Sequence, residues 1–343
     1  MANAKSKPLL VVAVSLVIAV SCLAPAVAQV NITEYPAGSG AWAGPWGIAS
    51  GSDGALWFAD RFGSRIGRIT TAGVLTVFSS GLNGVEGPVG VAAGSDGALW
   101  FTEYAVGRIG RITTAGVVTE YSEGLTPGTV PLWITAGPDS ALWFTDGDNN
   151  RIGRITTAGV VTLYWAGITA GAQPVCITAG PDGAMWFTEV FGNRIGRITT
   201  SGEVTEFSTG ITPSAGPQGI TAGPDGALWF TEMAGNRIGR ITTAGVVTEY
   251  SAGITKRSGP RGIVAGPDGA LWFTEYLGDR IGRITTVGVV TEYATGITPG
   301  AESVAITTGP DGALWFTESG QSRIGRITVL GRPIRRHLER AGR

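Results

Sequence analysis

The sequence contains few of the side chains that most often carry out catalysis. Its 343 residues include two cysteines and one histidine. Cys176 is the only cysteine beyond the N-terminal segment, and His337 lies close to the C-terminus. Zinc sites and Cys–His nucleophiles need several such side chains in one place, so we expect neither. A single cysteine in the body of the chain also excludes an intrachain disulfide bond.

Charged residues are also scarce, and they are nearly balanced. Asp, Glu, Lys and Arg make up 15% of the chain, and the formal net charge at pH 7 is −1. Nucleic-acid binding of the sequence-independent kind depends on an excess of basic residues. We therefore expect no nucleic-acid partner.

A long hydrophobic run occurs only at the N-terminus. Lys5 and Lys7 precede an apolar run over residues 9–24, which is followed by Ala26-Val27-Ala28. A basic start, an apolar run and a small-residue cleavage site are typical of a secretory signal peptide, and the run is short for a bilayer span. We predict a signal peptide over residues 1–28, cleaved near Ala28. The mature protein would be secreted or periplasmic, with no membrane span.

A 43-residue repeat fills the rest of the chain. Its clearest marker is one tryptophan in each copy: Trp57, Trp100, Trp143, Trp186, Trp229, Trp272 and Trp315. The 55 glycines fall at fixed places in the repeat, as turn residues of an ordered array do. A repeat of this length copies one supersecondary unit, and neighbouring copies bury each other's apolar faces.

Each repeat predicts four short strands. In the fifth copy we expect them over residues 219–223, 227–232, 237–242 and 246–250, with Pro-Asp-Gly and Thr-Ala-Gly in the turns. Four strands in each of seven repeats predict an all-β protein, a seven-bladed β-propeller that forms a single domain over residues 29–330.

The two ends of the chain predict how the ring closes. The last repeat lacks its fourth strand after Thr328, whereas residues 30–35 match that strand and stand alone before the first repeat. We predict that this N-terminal strand becomes the outer strand of the last blade, which removes an exposed edge. Residues 331–343 match no part of the repeat and are predicted to form a basic C-terminal tail.

The repeats also indicate which face is functional. The first-to-second and third-to-fourth turns are nearly uniform, whereas the second-to-third loops and the linkers between blades vary. Strand alternation places both variable segments on one face. Binding residues usually lie on variable loops held by a rigid scaffold. We therefore predict that any site lies on this variable face, at the mouth of the central channel.

Two arginines and one acid recur in all seven copies. The arginines run from Arg65 and Arg68 to Arg323 and Arg326. The acids are Asp60, Glu103, Asp146, Glu189, Glu232, Glu275 and Glu318. We interpret this pattern as bidentate ion pairs that join strands, and the tryptophans as packing between blades.

The residue after each linker proline varies and should line the channel mouth. These residues are Trp46, Val89, Leu132, Val175, Gln218, Arg261 and Val304. Lys256 and Arg257 precede Arg261, and Glu302 lies in the next linker. Two interpretations stay open: ordinary solvated charge, or a site for an anionic or carbonyl-rich ligand. For the second, the candidate ligand-binding residues are Trp46, Gln218, Lys256, Arg257, Arg261 and Glu302.

The repeat resembles the virginiamycin B lyase family, also called streptogramin B lyases. The resemblance rests on residues 223–232, on Gly-Asn-Arg-Ile-Gly-Arg-Ile-Thr and on Val-Thr-Glu-Tyr, and it covers residues 30 to about 328. It implies a seven-bladed propeller and a magnesium-dependent elimination that linearises cyclic depsipeptide antibiotics at their ester bond, giving antibiotic resistance. The NHL repeat of protein-binding propellers is a looser match, through residues 57–60.

The family's chemistry needs two histidines, each after the linker proline of one of the last two blades, and a glutamate shortly before the second. Glu302 matches this glutamate and is the candidate magnesium ligand. Arg261 and Val304 stand at the histidine positions, and Ser303 replaces the second proline. Arginine stays protonated and valine carries no proton, so neither replaces an imidazole base, and the catalytic residues stay unassigned.

We therefore expect an exported, monomeric, lyase-like propeller that binds a small ligand or a partner on its variable face. One alternative is a working streptogramin B lyase, a carbon–oxygen lyase with rearranged catalytic groups. The other is an NHL-like propeller that binds proteins.

Overall fold

The computed structural model describes residues 29–38, 43–82 and 87–330. Every regular element in these ranges is a β-strand, and the strands form seven antiparallel sheets of four. The predicted all-β, seven-bladed propeller is therefore confirmed. The predicted signal peptide (residues 1–28) and basic tail (residues 331–343) lie outside the described residues.

The blades follow one another along the chain, except that the first strand belongs to the last blade. Strand β1 is Gln29–Pro36. Blade 1 holds β2 (Pro45–Ser50), β3 (Ala55–Asp60), β4 (Arg65–Thr70) and β5 (Leu75–Phe78). Blade 2 holds β6 (Pro88–Ala93), β7 (Leu99–Glu103), β8 (Arg108–Ile112) and β9 (Val118–Tyr121). Blade 3 holds β10 (Pro131–Ala136), β11 (Leu142–Asp146), β12 (Arg151–Ile155) and β13 (Val161–Tyr164).

The remaining blades repeat this plan. Blade 4 holds β14 (Pro174–Ala179), β15 (Met185–Glu189), β16 (Arg194–Ile198) and β17 (Val204–Phe207). Blade 5 holds β18 (Pro217–Ala222), β19 (Leu228–Glu232), β20 (Arg237–Ile241) and β21 (Val247–Tyr250). Blade 6 holds β22 (Pro260–Ala265), β23 (Leu271–Glu275), β24 (Arg280–Ile284) and β25 (Val290–Tyr293). Blade 7 holds β26 (Ser303–Thr308), β27 (Leu314–Glu318), β28 (Arg323–Leu330) and β1. The inner strands of neighbouring blades contact one another around the central channel.

The N-terminal strand closes the ring as predicted. Strand β1 pairs antiparallel with β28, from Gln29 opposite Leu330 to Pro36 opposite Arg323. A second link joins the last blade to the first, because the hydroxyl of Thr317 donates to the carbonyl oxygen of Trp46 at 2.7 Å. The edge that β28 would otherwise expose is therefore covered.

The tryptophans form the packing between blades. Trp186 of blade 4 is fully buried and belongs to one cluster with Leu228 and Phe230 of blade 5. Its indole N–H donates to Oδ1 of Asp182 in the uniform turn at 3.0 Å, and its ring stacks on Phe207. A buried indole needs such a partner for its N–H, so the turn aspartate is part of the core design.

The two arginines of each repeat bind different acids. The second arginine binds the turn aspartate, as Arg240 binds Asp225 at 2.7 Å. The first arginine binds the acid at the end of the second strand only in blades 1 and 3, as in the 2.6 Å pair of Arg65 with Asp60. In the other five blades it pairs with a glutamate of the outer strand. The interpretation of all seven acids as arginine partners is therefore wrong for these five blades.

Candidate functional site

A cavity of about 170 Å³ lies on the channel axis, at the end where the inner strands begin. The cavity is lined by the seven residues that follow the linker prolines, or Ser303 in the last blade: Trp46, Val89, Leu132, Val175, Gln218, Arg261 and Val304. Most of them are apolar, so the cavity is a hydrophobic recess with few polar groups. This composition is typical of a small-molecule site.

A bulge in each inner strand aims these residues at the axis. The pairing between β18 and β19 shifts between Pro217 and Ile220, and the same shift occurs in every blade. Gly219 allows close packing there, because a Cβ atom on it would lie 2.3 Å from the carbonyl oxygen of Arg261. The neighbouring inner strands can therefore converge around a narrow channel.

Threonine hydroxyl groups hold the channel residues in place. Thr231 accepts a hydrogen bond from the backbone N–H of Gly219 at 2.9 Å and donates to the carbonyl oxygen of Arg261 at 2.6 Å. Thr231 thus links the inner strands of blades 5 and 6. In blade 1 the corresponding residue is Ala59, which has no hydroxyl group to offer. The backbone that carries Arg261 is held by a fixed inter-blade bond.

Arg261 is the main polar group of the recess. Its guanidinium carbon lies 4.5 Å from the ring centroid of Trp46 and 4.7 Å from that of Tyr276. Burial is the main cause that lowers the pKa of Arg261, and the charge of Arg61 acts in the same direction. An arginine remains protonated despite such a shift. The site therefore presents a partly desolvated cation against two aromatic rings.

Arg61 is a second cation at the same place, and the sequence reasoning missed it. Its guanidinium carbon lies 4.5 Å from the ring centroid of Trp46 and 5.0 Å from that of Tyr104, and Arg61 lines the cavity. It directly follows Asp60, at the start of a variable second-to-third loop. The signal that could have identified it is the repeat itself, since Tyr104 and Tyr276 occupy the same position in blades 2 and 6.

Glu302 lies beside the cavity. Its Oε2 accepts a hydrogen bond of 3.2 Å from the hydroxyl group of Tyr276. Glu302 is exposed to solvent. Burial and the Glu302 carboxylate raise the pKa of Tyr276, against the opposing effect of Arg261. Glu302 is therefore connected to Arg261 through the tyrosine that both side chains contact.

The structure does not bring the other two predicted cations into the cavity. Lys256 and Arg257 are exposed in the linker before β22, and neither lines the recess. Trp46 and Gln218 do line it, as does Arg261. The pair of cations at the channel mouth is thus Arg61 and Arg261.

The residues around Glu302 do not fit a magnesium ion. Magnesium sites in proteins are built from carboxylates and other oxygen ligands in octahedral geometry. Within the described ranges no group of three or more His, Cys, Asp or Glu side chains could hold a metal. Tyr276, the hydrogen-bond partner of Glu302, is flanked by the cation Arg261 and, among the described residues, by no further acid. We therefore derive no step through a metal at this site.

Cys176 also lines the recess but has no nucleophilic character there. It is buried and free, and burial raises the pKa of its thiol to about 12. The thiolate is the reactive form of cysteine, so this side chain acts as an apolar wall.

The fold and this recess define a class: a seven-bladed β-propeller with a small, mostly apolar cavity and two guanidinium groups at one end of its channel. The family model of the virginiamycin B lyases matches residues 19–211 and 209–341. The chain belongs to the virginiamycin B lyase family.

Solved structures agree with this assignment. A selenomethionine-substituted virginiamycin B lyase from Staphylococcus aureus shares 39% sequence identity and a TM-score of 0.81, over 88% of this chain and 100% of that one. A catalytically inactive variant of the S. aureus enzyme with quinupristin gives the same identity, coverage and TM-score. A streptogramin B lyase shares 37% identity, with a TM-score of 0.81, over 88% of this chain and 98% of its own.

Comparison with curated protein sequences gives no significant match. Within residues 29–38, 43–82 and 87–330, no helix has the length and hydrophobicity needed to cross a membrane.

Proposed function

We propose that this protein is an exported member of the family that binds a small anionic or carbonyl-rich ligand at the channel mouth. The observation that supports this proposal is the position of Arg61 and Arg261. Both guanidinium carbons lie 4.5 Å from the ring centroid of Trp46, on the wall of an apolar recess. A small molecule with one acidic group could place that group against both cations.

The two cations favour an anion because they repel each other. The charge of Arg61 helps to lower the pKa of Arg261, which is the electrostatic sign of this repulsion. No carboxylate of the described residues forms an ion pair with Arg261. An anion bound beside both groups would remove the repulsion, and the partial burial would strengthen its attraction. A charge-assisted hydrogen bond to arginine contributes about 1.5–3 kcal/mol.

The size of the recess limits which part of a ligand can enter it. A volume of about 170 Å³ is similar to that of a cavity of about 150 Å³ that admits a benzene molecule. We infer that a carboxylate or another small polar group enters the recess. Any larger apolar body would lie outside, across the exposed loop residues Phe62 and Leu277.

The test is calorimetric titration of the mature protein with small carboxylates and inorganic phosphate, with neutral sugars and alkylamines as comparison ligands. We expect the anions to bind, and the Arg261→Gln variant to bind them about tenfold to a hundredfold more weakly. Arg257→Gln is the matched control, since Arg257 is an exposed arginine of the same linker. Unchanged anion binding by Arg261→Gln, or binding of the neutral and cationic compounds alone, would contradict the proposal.

Export is part of the proposal and has a separate test. It rests on the basic, apolar and small-residue pattern of residues 1–28. N-terminal sequencing of protein recovered from outside the cytoplasm should begin at Gln29. An intact N-terminus that starts at Met1 would show that the segment is retained.

A streptogramin B lyase is the second candidate, because the S. aureus enzyme shares 39% identity over 88% of this chain. The residues at the histidine positions oppose it. Arg261 and Val304 offer no neutral base, so a lyase reaction here would need another proton acceptor.

A further inference from the structure

Two positions of the repeat vary together from one blade to the next. The first is the acid that ends the second strand, which we call the inner acid. The second lies on the outer strand, opposite a glycine of the third strand. Glutamate occupies both positions in five blades, as Glu103 with Glu120, Glu189 with Glu206, Glu232 with Glu249, Glu275 with Glu292, and Glu318 with Glu34. In the other two blades, aspartate faces an apolar residue, as Asp60 with Val77 and Asp146 with Leu163.

The inner acid of the aspartate blades has a full set of donors. Asp60 accepts hydrogen bonds from the backbone N–H groups of Gly44 at 2.8 Å and Gly63 at 3.0 Å, and from Arg65 at 2.6 and 3.0 Å. The bond to Gly44 fixes the linker that enters blade 1. The inner aspartate therefore needs no second acid on the outer strand.

In blades 4 to 7 the outer glutamate holds the linker instead. Glu249 accepts hydrogen bonds from the backbone N–H of Thr212 at 2.5 Å and from its hydroxyl at 2.6 Å, and it pairs with Arg237 at 3.8 Å. The same pair of bonds joins Glu206 to Thr169, Glu292 to Thr255 and Glu34 to Thr298. Burial opposes the charge, but the bonds from Thr212 and the Arg237 charge lower the pKa of Glu249. Glu249 is thus ionised. Burial likewise opposes the charge of Glu34, but the bonds from Thr298 and Arg323 lower the pKa of Glu34 in the same way.

The inner glutamates of blades 4 to 7 have the opposite environment. Glu189, Glu232, Glu275 and Glu318 are fully buried, and no protein donor reaches either oxygen of these side chains. Their hydrogen-bonding neighbour is the outer glutamate, which as a carboxylate is itself only an acceptor. Two facing carboxylates without a donor would be costly to bury. One proton between them removes the extra charge and supplies the missing donor.

On balance, the groups that face the inner glutamates favour a bound proton, although one arginine in each blade opposes it. Burial, then the outer glutamate, raises the pKa of Glu189, Glu232 and Glu275 to about 8, against the opposing charges of Arg194, Arg237 and Arg280. The nearby hydroxyl group of Ser258 also opposes the raised pKa of Glu275, as the smallest of the causes. The same causes, with Arg323 opposing and Asp279 reinforcing, raise the pKa of Glu318 to about 9.

We propose that in blades 4 to 7 each inner glutamate is a neutral acid that donates a hydrogen bond to its outer glutamate. These four shared protons clamp the threonine-bearing linkers on the variable face, and alkaline pH releases them. Two of the clamped linkers lead directly to the recess. The Thr255 linker continues to Arg261, and the Thr298 linker continues to Glu302. Loss of the protons would therefore loosen the segments that border the channel mouth.

The test is infrared spectroscopy of the folded protein, in which a protonated carboxyl group gives a C=O band distinct from that of a carboxylate. We expect the wild-type protein to show the protonated band at pH 6.5 and to lose it as the pH rises through about 8 to 9. The Glu232→Gln variant, whose amide can donate to Glu249, should fold and lose about a quarter of the band. Glu203→Gln is the matched control, since Glu203 is an exposed acid in a turn and should leave the band unchanged.

A second variant guards against an effect that is specific to glutamine. Glu232→Asp combined with Glu249→Leu copies the arrangement of blade 3 into blade 5, and it should also fold and lose about a quarter of the band. Absence of a protonated carboxyl band from the folded wild-type protein at pH 6.5 would overturn the proposal. So would a band of full intensity in both blade 5 variants.

Discussion

The hydroxyl group of Tyr276 donates a hydrogen bond to Oε2 of Glu302 at 3.2 Å. This bond joins the loop after β23 to the linker before β26, so it spans two neighbouring blades at the channel mouth. The ring of Tyr276 also lies 4.7 Å from the guanidinium carbon of Arg261. Glu302 is therefore an anion close to the cations that we propose bind an anionic ligand.

The first prediction concerns this carboxylate. Glu302→Gln should strengthen the binding of small carboxylates about twofold to fivefold, because it removes a negative charge close to the negatively charged ligand. The effect is modest because solvent screens the exposed Glu302 carboxylate. The measurement is calorimetric titration at low salt, with Glu123→Gln as an exposed control. Weaker binding by Glu302→Gln would instead indicate that Glu302 contacts the ligand.

The second prediction concerns ring closure. Tyr35 of β1 stacks on Trp315 at a centroid distance of 5.7 Å, and the corresponding positions in blades 1 and 4 are Phe78 and Phe207. Tyr35→Ala should lower the free energy of unfolding by about 2–4 kcal/mol, and Tyr35→Phe by less than about 1 kcal/mol. The measurement is denaturant unfolding at one pH. An equal loss in both variants would show that the stack does not hold the closing strand.

Removal of the whole closing strand is the stronger form of this test. A chain that begins at residue 39 lacks β1 and so exposes the edge of β28. We expect a lower Tm and association into oligomers, measured by calorimetry and by light scattering. Unchanged melting and monomeric behaviour would contradict closure by β1.

The fold could be predicted from the sequence because seven copies average out local ambiguity. One isolated copy of residues 217–250 would leave strand ends uncertain, and the first strand does begin at Pro217, two residues before its predicted start. The difference arises from the bulge, which adds Pro217 and Gln218 to the inner strand. Closure was predictable because one strand was missing at one end and present at the other.

The site was only partly predictable, for two physical reasons. Which side chains reach the axis depends on where each loop lies, so Arg61 was overlooked, whereas Lys256 lies outside the recess. The arginine partners were mistaken because sequence spacing does not show side-chain reach. A strand-end aspartate meets the first arginine, as Asp146 meets Arg151, whereas a longer glutamate such as Glu232 faces Glu249. The joint variation of the two acid positions was the sequence signal for this difference.

The third prediction concerns lyase chemistry. The unmodified mature protein should not linearise quinupristin at a useful rate with added magnesium, because Arg261 and Val304 carry no neutral base. Loss of a general base usually lowers a rate by about 10²–10⁴. Elimination produces an isomer, so the product must be separated by chromatography as well as weighed by mass spectrometry. Rapid ring opening by the unmodified protein would refute this prediction and favour the lyase candidate.

A double substitution that introduces the two missing histidines gives the complementary test. Arg261→His combined with Val304→His should raise any residual ring opening above that of the unmodified protein. Ser303 replaces the proline that would precede the second imidazole, so the gain should be partial. The control is Arg61→Gln, which changes the charge of the same recess without supplying a base.

The last prediction is that stability is greatest in mild acid. Burial raises the pKa of Asp225, but the hydrogen bonds from Trp229 and Arg240 outweigh burial and lower this pKa. The other six turn aspartates behave alike: Asp53, Asp96, Asp139, Asp182, Asp268 and Asp311. A lowered pKa contributes stability that is present above the ordinary value of 3.8 and is lost as the pH falls through the folded value. The turn aspartates therefore limit stability on the acid side.

The inner glutamates limit it on the alkaline side. Their raised pKa of about 8 contributes stability that is complete below the unfolded value of 4.5 and is lost progressively as the pH rises to the folded value. Each glutamate adds a slope of at most about 1.4 kcal/mol per pH unit between these limits.

The free energy of unfolding should thus fall from pH 5 to pH 8 and level off above about pH 9. Denaturant unfolding at unit steps of pH measures this profile, and Glu232→Gln should make it less steep while Glu203→Gln leaves it unchanged. A profile that is flat or rising between pH 5 and pH 8 would show that the inner glutamates are already ionised in the folded protein.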